Sequence, residues 1–481
     1  MKPLNETTVE KRERPVRILQ FGEGNFLRAF VDWMVDIANE RCVTDTSVAV
    51  VSPRFRENAG IRALREQDGM YHVCLEGVEN GELKKSSRLV KCIADAFSPA
   101  TDFGRYERYI LSPDLRFVVS NTTEAGIRYE ADDVLADAPA TFPGKITSML
   151  YRRYRHFDGD PEKGLLFLCC ELIEDNGSTL REYVLRHAAE AGLEPGFSEW
   201  VKVACGFCDT LVDRIVPGFP ADNIAEVQAA LGFDDKLVVK GELYHVWAIG
   251  GDAAERVRRE LPLHEAGLNV LFMPSVKEFR DKKVRILNGS HTGMVPVALQ
   301  LGCETVLDAF GDADVSRFIT GMVRREVLPM IEGDPEELRR FADGILERFL
   351  NPSVRHLLKS ISLNSLSKWE TRNYPTVADF YRRRGATADY ELFTFAALLA
   401  LYAPGSGFEP DDCAAHVEKI RAVWNDADLP AAVKAIVTGG IFNADFEHEV
   451  PGFSAKVAGF LTDIRRNGMR GALENFLNGR S

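Results

Sequence analysis

The chain has 481 residues, 45% hydrophobic and 27% charged, more than one hydrophobic core usually organises, so two domains are expected. Its 59 Lys+Arg against 72 Asp+Glu leave a net charge of -13. A surface that acidic repels phosphate backbones and anionic lipid, which argues against nucleic-acid and membrane partners. The opening stretch MKPLNETTVEKRERP has no apolar core of a secretory signal. The longest apolar run, Leu392 to Ala403, is too short to span a bilayer. Nine scattered cysteines, most inside apolar segments, fit a reducing compartment rather than a disulfide framework. The expected location is the cytoplasm.

Up to about residue 275, short β-rich runs alternate with helical patterns. The runs are VRILQF (16–21), SVAVVS (47–52), LRFVVSN (115–121), GLLFLCC (164–170) and LNVLFM (268–273). NFLRAFVDWMVDIANE and FPGKITSMLYRRYRHF between them carry helical periodicity. Continuous apolar strands separated by helices require a parallel sheet buried on both faces. The reading is an α/β chain, with a Rossmann-like doubly wound domain over 1–275 and a mainly helical domain over 276–481. EWVKVACGFCDTLVDR reads as one helical run, placing Cys205 and Cys208 a helical turn apart in the core rather than on zinc. In the second domain, Asp334-Pro335-Glu336-Glu337 has the marks of a helix start. Thr376 and Asp379, after Pro375, resemble a capping box.

The first strand, ending at Gln20 and Phe21, runs into Gly22-Glu23-Gly24-Asn25-Phe26-Leu27-Arg28-Ala29 and then a helix. Strand, glycine turn and helix N-terminus together present backbone N–H groups to a pyrophosphate. Leu27 stands where the generic fingerprint has its third glycine, and an ordinary tight turn would give a similar pattern. The place of the motif after the first strand favours the dinucleotide. The second strand ends at Ser52-Pro53-Arg54 with no acid at its tip; Glu57 is the nearest, and Arg54 and Arg56 could face a 2′-phosphate. These residues leave NAD against NADP open. Asn121, at the carboxyl end of the third run, lies where ligands sit in open α/β sheets.

Lys283, Asn288 and His291 fall near the expected domain junction. On a helix Asn288 and His291 are neighbours, and Lys283 lies two turns away on the same side. A lysine partly desolvated in a cleft can act as a general base toward an alcohol, and an amide can donate to the developing oxyanion. By spacing alone, a packed histidine and a solvated Lys282-Lys283 corner are the more usual explanation of the segment. Asn176-Gly177, after the fourth run, reads as a turn or as a second oxyanion amide. No H-E-x-x-H, G-x-S-x-G or Walker A sequence occurs.

With these residues in view, the chain resembles the polyol-specific long-chain dehydrogenase/reductase family, also called the mannitol dehydrogenase family. The resemblance rests on G-x-G-x-F-x-R-A at Gly22 to Ala29 and K-x4-N-x2-H at Lys283, Asn288 and His291, with Asn176 matching the second oxyanion amide. Four further stretches, SNTTEAGI (120–127), CELIEDNG (170–177), CDTLVDRIVPG (208–218) and LNGSHTGMVPVA (287–298), resemble the branch acting on tagaturonate and altronate rather than the mannitol or mannonate enzymes. Mannitol and mannonate enzymes usually carry a TEKGY-like variant where this chain has 123–127, and an acid where it has Arg280. A proton-gating glutamate therefore cannot be carried over to that position.

The resemblance implies NAD(H)-dependent, reversible interconversion of D-altronate and D-tagaturonate in hexuronate breakdown, without a catalytic metal. Lys283 would be the acid/base, Asn176 and Asn288 the oxyanion donors, and His291 the orienting residue. Cations for the substrate carboxylate are nominated from Arg280, Arg355, Lys359, Lys368 and Arg372, with Lys368 best matching a family position. The alternatives are a D-mannonate (fructuronate) or polyol dehydrogenase of the same family, and a non-catalytic dinucleotide-binding regulator.

Overall fold

The computed structural model describes residues 1–79, 82–122, 126–352, 355–425 and 427–479. The chain divides into two compact units: Met1–Gly77 with Leu83–Lys277, and Glu278–Ser481 with Val78–Glu82.

The first unit is built on eight strands: β1 (Val16–Phe21), β2 (Ser47–Val51), β3 (Ile93–Phe97), β4 (Phe117–Ser120), β5 (Leu166–Cys169), β6 (Gly206–Asp213), β7 (Val246–Gly250) and β8 (Val270–Met273). Their order across the sheet is β3-β2-β1-β4-β5-β6-β7-β8. β1 to β6 are mutually parallel, β7 runs antiparallel to β6, and β8 is parallel to β7. The first six follow the doubly wound Rossmann order, which reverses between β1 and β4. Every residue of β2, β4 and β5 is buried, which is why these segments read as unbroken apolar runs.

Three strands of this sheet did not announce themselves as apolar runs. Ile93–Phe97 carries Asp95, and Val246–Gly250 is only five residues long. The third corrects the helical reading of 199–214. Helix Pro195–Ala204 stops at Cys205, whose backbone is extended, and Gly206–Asp213 is β6. Cys205 and Cys208 are therefore not a helical turn apart. Both are buried, which pushes both thiols up to about 12. A Cβ on Gly206 would lie 2.7 Å from Leu166 Cδ2 and 2.5 Å from Ala253 Cβ, so the glycine allows this close strand packing. A smaller sheet of Val239–Glu242, Tyr71–Glu79 and Glu82–Val90 also escaped the apolar-run criterion. Its outer strand, ELKKSSRLV, is mostly exposed and polar.

Helix α1 covers 25–40 and contains a π turn at Arg28–Asp32. α2 is Phe142–His156, capped by Thr141, and α3 is Asn176–Glu190. The second unit is helical. α4 covers 277–300, again with a π turn, at Val284–Asn288. α5 (Pro335–Arg348) starts as its sequence predicts, with Asp334 accepting from Glu337 N at 2.8 Å. α6 is Ser365–Arg372 and α7 is Tyr374–Arg384. The expected capping box at Thr376 does not form, because α7 already begins at Tyr374 and places Thr376 inside the helix, fully buried. Asp379 instead pairs with Arg285 at 2.7 Å and Arg382 at 2.8 Å.

α8 (Asp389–Tyr402) is the apolar run of the sequence and is buried nearly all round. A helix without a polar face belongs at the centre of a bundle. It packs against α4 and against the long terminal helix α9 (Phe453–Asn478), which kinks at Gly468. Trp369 of α6 is fully buried in the same core, its indole N–H donating to Thr394 Oγ1 at 2.9 Å.

Candidate active site

The glycine turn sits at the carboxyl end of β1, next to the point where strand order reverses. Gly22 has φ +141°, and a Cβ there would lie 2.9 Å from Leu27 Cδ1. Leu27 thus fills the space beneath the turn, which accounts for a leucine in place of a third glycine. A Cβ on Gly24 would meet nothing within 4 Å, so the chain there borders open space at the N-terminus of α1. That is what close approach of a pyrophosphate requires, and the residues fit the group. Asn121 adjoins the turn: its N–H donates to Phe21 O at 3.2 Å.

Several residues of the motif serve the turn itself. Arg28 is buried and donates to Glu23 O (3.1 Å), Asn25 Oδ1 (2.6 Å) and Leu237 O. Gln20 donates to Gly22 O (3.0 Å) and Asp32 Oδ2 (3.3 Å). The π turn of α1 leaves carbonyls for side chains: Tyr71 OH donates to Arg28 O (3.0 Å) and Arg214 to Ala29 O (2.6 Å). Phe26 stacks on Phe30 with centroids 4.9 Å apart. At the tip of β2, Arg54 and Arg56 are exposed and Glu57 pairs with Arg65. The acid brought to this tip is Glu23, which accepts from Asn58 Nδ2 at 2.8 Å. Its position inside G-x-G hid it from a search along the strand.

Beyond β5, the buried Glu171 accepts from Ser120 Oγ (3.0 Å), Thr122 N (2.9 Å) and Thr122 Oγ1 (2.9 Å), fixing the chain after β4. Burial raises its carboxyl above the usual range despite these donors. Of the motif at 123–127, residues 123–125 lie outside the described residues.

Asn176 departs from its expected role. It opens α3 rather than a turn and is 1% exposed. Its Nδ2 donates to Cys169 O (3.0 Å), Glu171 O (2.9 Å) and Thr210 O (3.0 Å), while Oδ1 accepts from Gly177 N and Thr210 N, both at 2.9 Å. With both N–H groups spent on backbone carbonyls, it stitches β5, β6 and α3 together and offers no donor to an oxyanion. Gly177 lets α3 come this close, since a Cβ would lie 2.2 Å from Cys208 O.

In the second unit, Lys283, Asn288 and His291 are all half-buried on α4. Residues five apart diverge by about 140° on a regular α-helix, at about 100° per residue. The π turn absorbs one residue, so Lys283 and Asn288 fall within about 40° of each other, and Lys283 and His291 within about 20°. The K-x4-N-x2-H spacing is thus the spacing of a π turn, which α-helical geometry alone does not suggest. His291 lies against Phe349 and His356, with ring centroids at 4.6 and 5.0 Å. Burial, with His356, Arg348 and Arg372 nearby, lowers its affinity for a proton well below normal, so the imidazole is neutral at pH 7.

The nominated cations divide. Arg355 and Lys359 are exposed, and Arg355 pairs with Glu304 at 3.8 Å on the surface. Arg280 is half-buried. Arg372 donates to Thr292 Oγ1 at 3.3 Å, one residue from His291. Lys368 donates to Ile361 O at 2.9 Å. Desolvation lowers the pKa of both Arg372 and Lys368, and Arg372 lowers that of Lys368 further. Arg348 adds a further cation beside His291, and His356, whose affinity for a proton is lowered by burial, adds a ring; neither was foreseen, because the sequence separates them widely from His291.

Among the described residues no group of three or more His, Cys, Asp or Glu is arranged to hold a metal ion, and no helix is long and apolar enough to cross a membrane.

Known proteins resemble this chain throughout. The family descriptions "Mannitol dehydrogenase Rossmann domain" and "Mannitol dehydrogenase C-terminal domain" match residues 16–262 and 275–457. A protein of Bacillus subtilis (strain 168) named altronate oxidoreductase is 42% identical over 99% of this chain and 98% of its own length. Another of that name, from Escherichia coli O139:H28, is 38% identical over 98% of this chain and 99% of its own. Among solved structures, a D-sorbitol dehydrogenase in substrate-free form aligns with a TM-score of 0.80 at 21% identity, over 98% of this chain and 100% of that one. The Pseudomonas fluorescens mannitol 2-dehydrogenase, in ternary complex with NAD and D-mannitol, aligns at 0.69 with 22% identity, over 97% and 95%. At those identities the structures speak for the fold.

Proposed function

This chain belongs to the mannitol dehydrogenase family, and we propose that within it the protein is an NAD(H)-dependent altronate oxidoreductase, interconverting D-altronate and D-tagaturonate. The observation that carries the reading is a lysine and an amide brought into register by the π turn of α4, with His291 beside them and cations around it. The match in name and full length to altronate oxidoreductases supports the substrate.

When bound, NAD(H) would supply the hydride chemistry of the reaction in either direction. Gly22, Gly24 and the N-terminus of α1 would hold its pyrophosphate, with Asn121 alongside. Lys283 takes the hydroxyl proton at Nζ during oxidation and returns it during reduction. The Asn288 amide donates to the same oxygen as its charge develops. Asn176 takes no part in this, so the second donor to that oxygen is the lysine ammonium itself. His291, neutral by burial, orients the substrate by hydrogen bonding without adding charge. Arg372 and Lys368 draw in the carboxylate, and with Arg348 and Arg280 they offset locally the net charge of -13. We place the enzyme in the cytoplasm, a reading supported by nine free cysteines.

The test is NADH oxidation by the purified protein with tagaturonate, fructuronate and fructose in parallel, repeated with NADPH. Turnover of tagaturonate with NADH, well above the others, is expected. Preference for fructuronate or fructose would move the protein to another branch of the family, and no turnover with any would favour a regulator.

A further inference from the structure

The register of Lys283 and Asn288 lasts only while the π turn does, and such turns are rare single-turn interruptions of an α-helix. The two carbonyls at its end are each taken by a side chain. Asn288 O accepts from Thr292 Oγ1 at 2.8 Å, and Gly289 O accepts from Asn373 Nδ2 at 3.0 Å. Asn373, at the start of α7, is fully buried, and its amide donates its second N–H to Glu391 Oε2 at 2.8 Å. Glu391 is fixed in turn on α8, where the buried Glu326 carboxylate accepts from the backbone N–H of Tyr390 (2.9 Å) and Glu391 (3.0 Å). A Cβ on Gly289 would meet Arg372 O at 3.5 Å and Asn373 Nδ2 at 3.6 Å, ordinary contact distances, so the approach of the Asn373 amide does not depend on the glycine. Neither Asn373 nor Glu391 has a role in the chemistry set out above, yet buried amides and carboxyls are costly to keep in a core.

We propose that Asn373 is a positioning residue for the reaction, holding the Gly289 carbonyl and through it the π turn that keeps Lys283 and Asn288 on one side of α4. The inference rests on the oxidoreductase reading and names a residue through which that site is kept in shape. Without the Asn373 donor the turn relaxes toward α geometry, which swings Asn288 by about 100° relative to Lys283. The hydride and proton steps then slow, while dinucleotide and carboxylate contacts, made by other residues, persist. Glu391 orients the amide as an acceptor. Burial first, and then the nearby Glu326, push its carboxyl up to about 8, against the Asn373 hydrogen bond and the Arg285 charge, so it is largely protonated at neutral pH. A glutamine of the same shape serves equally well.

The experiment compares the parent, Asn373→Asp and Glu391→Gln, assayed with tagaturonate and either NADH or NADH deuterated at the transferred position. Asn373→Asp keeps the shape and loses the donor. Its kcat is expected to fall by about 10- to 100-fold with KM changed less than about threefold, and the primary isotope effect on kcat to rise. Glu391→Gln is expected to stay within about twofold of the parent. A purely structural role would lower the folded fraction and leave the isotope effect of the active molecules unchanged, and that result overturns the proposal, as does parental kinetics in folded Asn373→Asp. If Asn373→Asp does not fold, Glu391→Ala, which frees the amide to rotate, is expected to raise the isotope effect; an unchanged value overturns the proposal. A parent inert toward tagaturonate, fructuronate and fructose would instead refute the activity reading, and this proposal with it.

Discussion

Replacing Asn176 by alanine separates two roles that the sequence could not. The structure gives its amide five hydrogen bonds, all to backbone and all within the first unit. A buried hydrogen bond contributes about 1 kcal/mol net, and a group left unpaired costs somewhat more. Water can enter the space vacated by the side chain, and Cys169 O keeps the Thr210 hydroxyl as a donor. The expected loss is therefore about 3–5 kcal/mol rather than the full sum. In a domain of this size 1 kcal/mol shifts Tm by about 2–4 °C, so the variant should melt about 10 °C below the parent. Its kcat per folded molecule should change little, because the amide has no free donor for an oxyanion. The assay pairs a circular-dichroism melt with steady-state kinetics normalised to active enzyme. A variant that melts within about 2 °C of the parent while kcat falls about 100-fold would show that the amide faces the substrate, and would refute the structural reading.

Lys283→Ala should lower kcat by about 10²- to 10⁴-fold, with NADH affinity, followed by fluorescence titration, nearly unchanged; most of the turnover surviving would remove the lysine from the mechanism. Arg372→Ala should raise KM for the sugar acid by about 10-fold or more while leaving slow turnover of an uncharged polyol untouched. Equal loss on both substrates would argue for a packing role. Asp32, buried behind the glycine turn, has its carboxyl pushed up to about 7 by desolvation, so the folded state holds the proton more tightly than the unfolded one. Stability should therefore fall as pH rises from about 4 to about 7 and level off above, by at most about 4 kcal/mol. Asp32→Asn, which keeps an acceptor for Gln20 and Tyr71, should flatten that slope in melts between pH 5 and 8; a parallel slope would count against the shift.

What the sequence determined by itself is whatever depends on neighbours along the chain. Strand β1, Gly22 and Gly24 at its end, and the start of α1 are consecutive, so the strand, glycine turn and helix start were legible at once. The same holds for the Asp334 cap. Residue types and order also carried Lys283, Asn288 and His291 through the family resemblance.

What only tertiary structure decided depends on partners far away in sequence. Whether the Asn176 amide meets a substrate or a backbone was settled by Thr210 and Cys169, which lie on other strands. Whether 206–213 is helix or strand was settled by the parallel neighbour β5, against which it pairs. The Gly289 carbonyl, just after the π turn of α4, is taken by the buried Asn373 side chain, which lies 84 residues away in the sequence. The cations beside His291, Arg348 and Arg372, come from two different helices that only packing brings together. Local sequence fixes φ/ψ preferences and periodicity, whereas the pairing of buried polar groups is a property of the assembled core, and the chemistry of this site depends on that pairing.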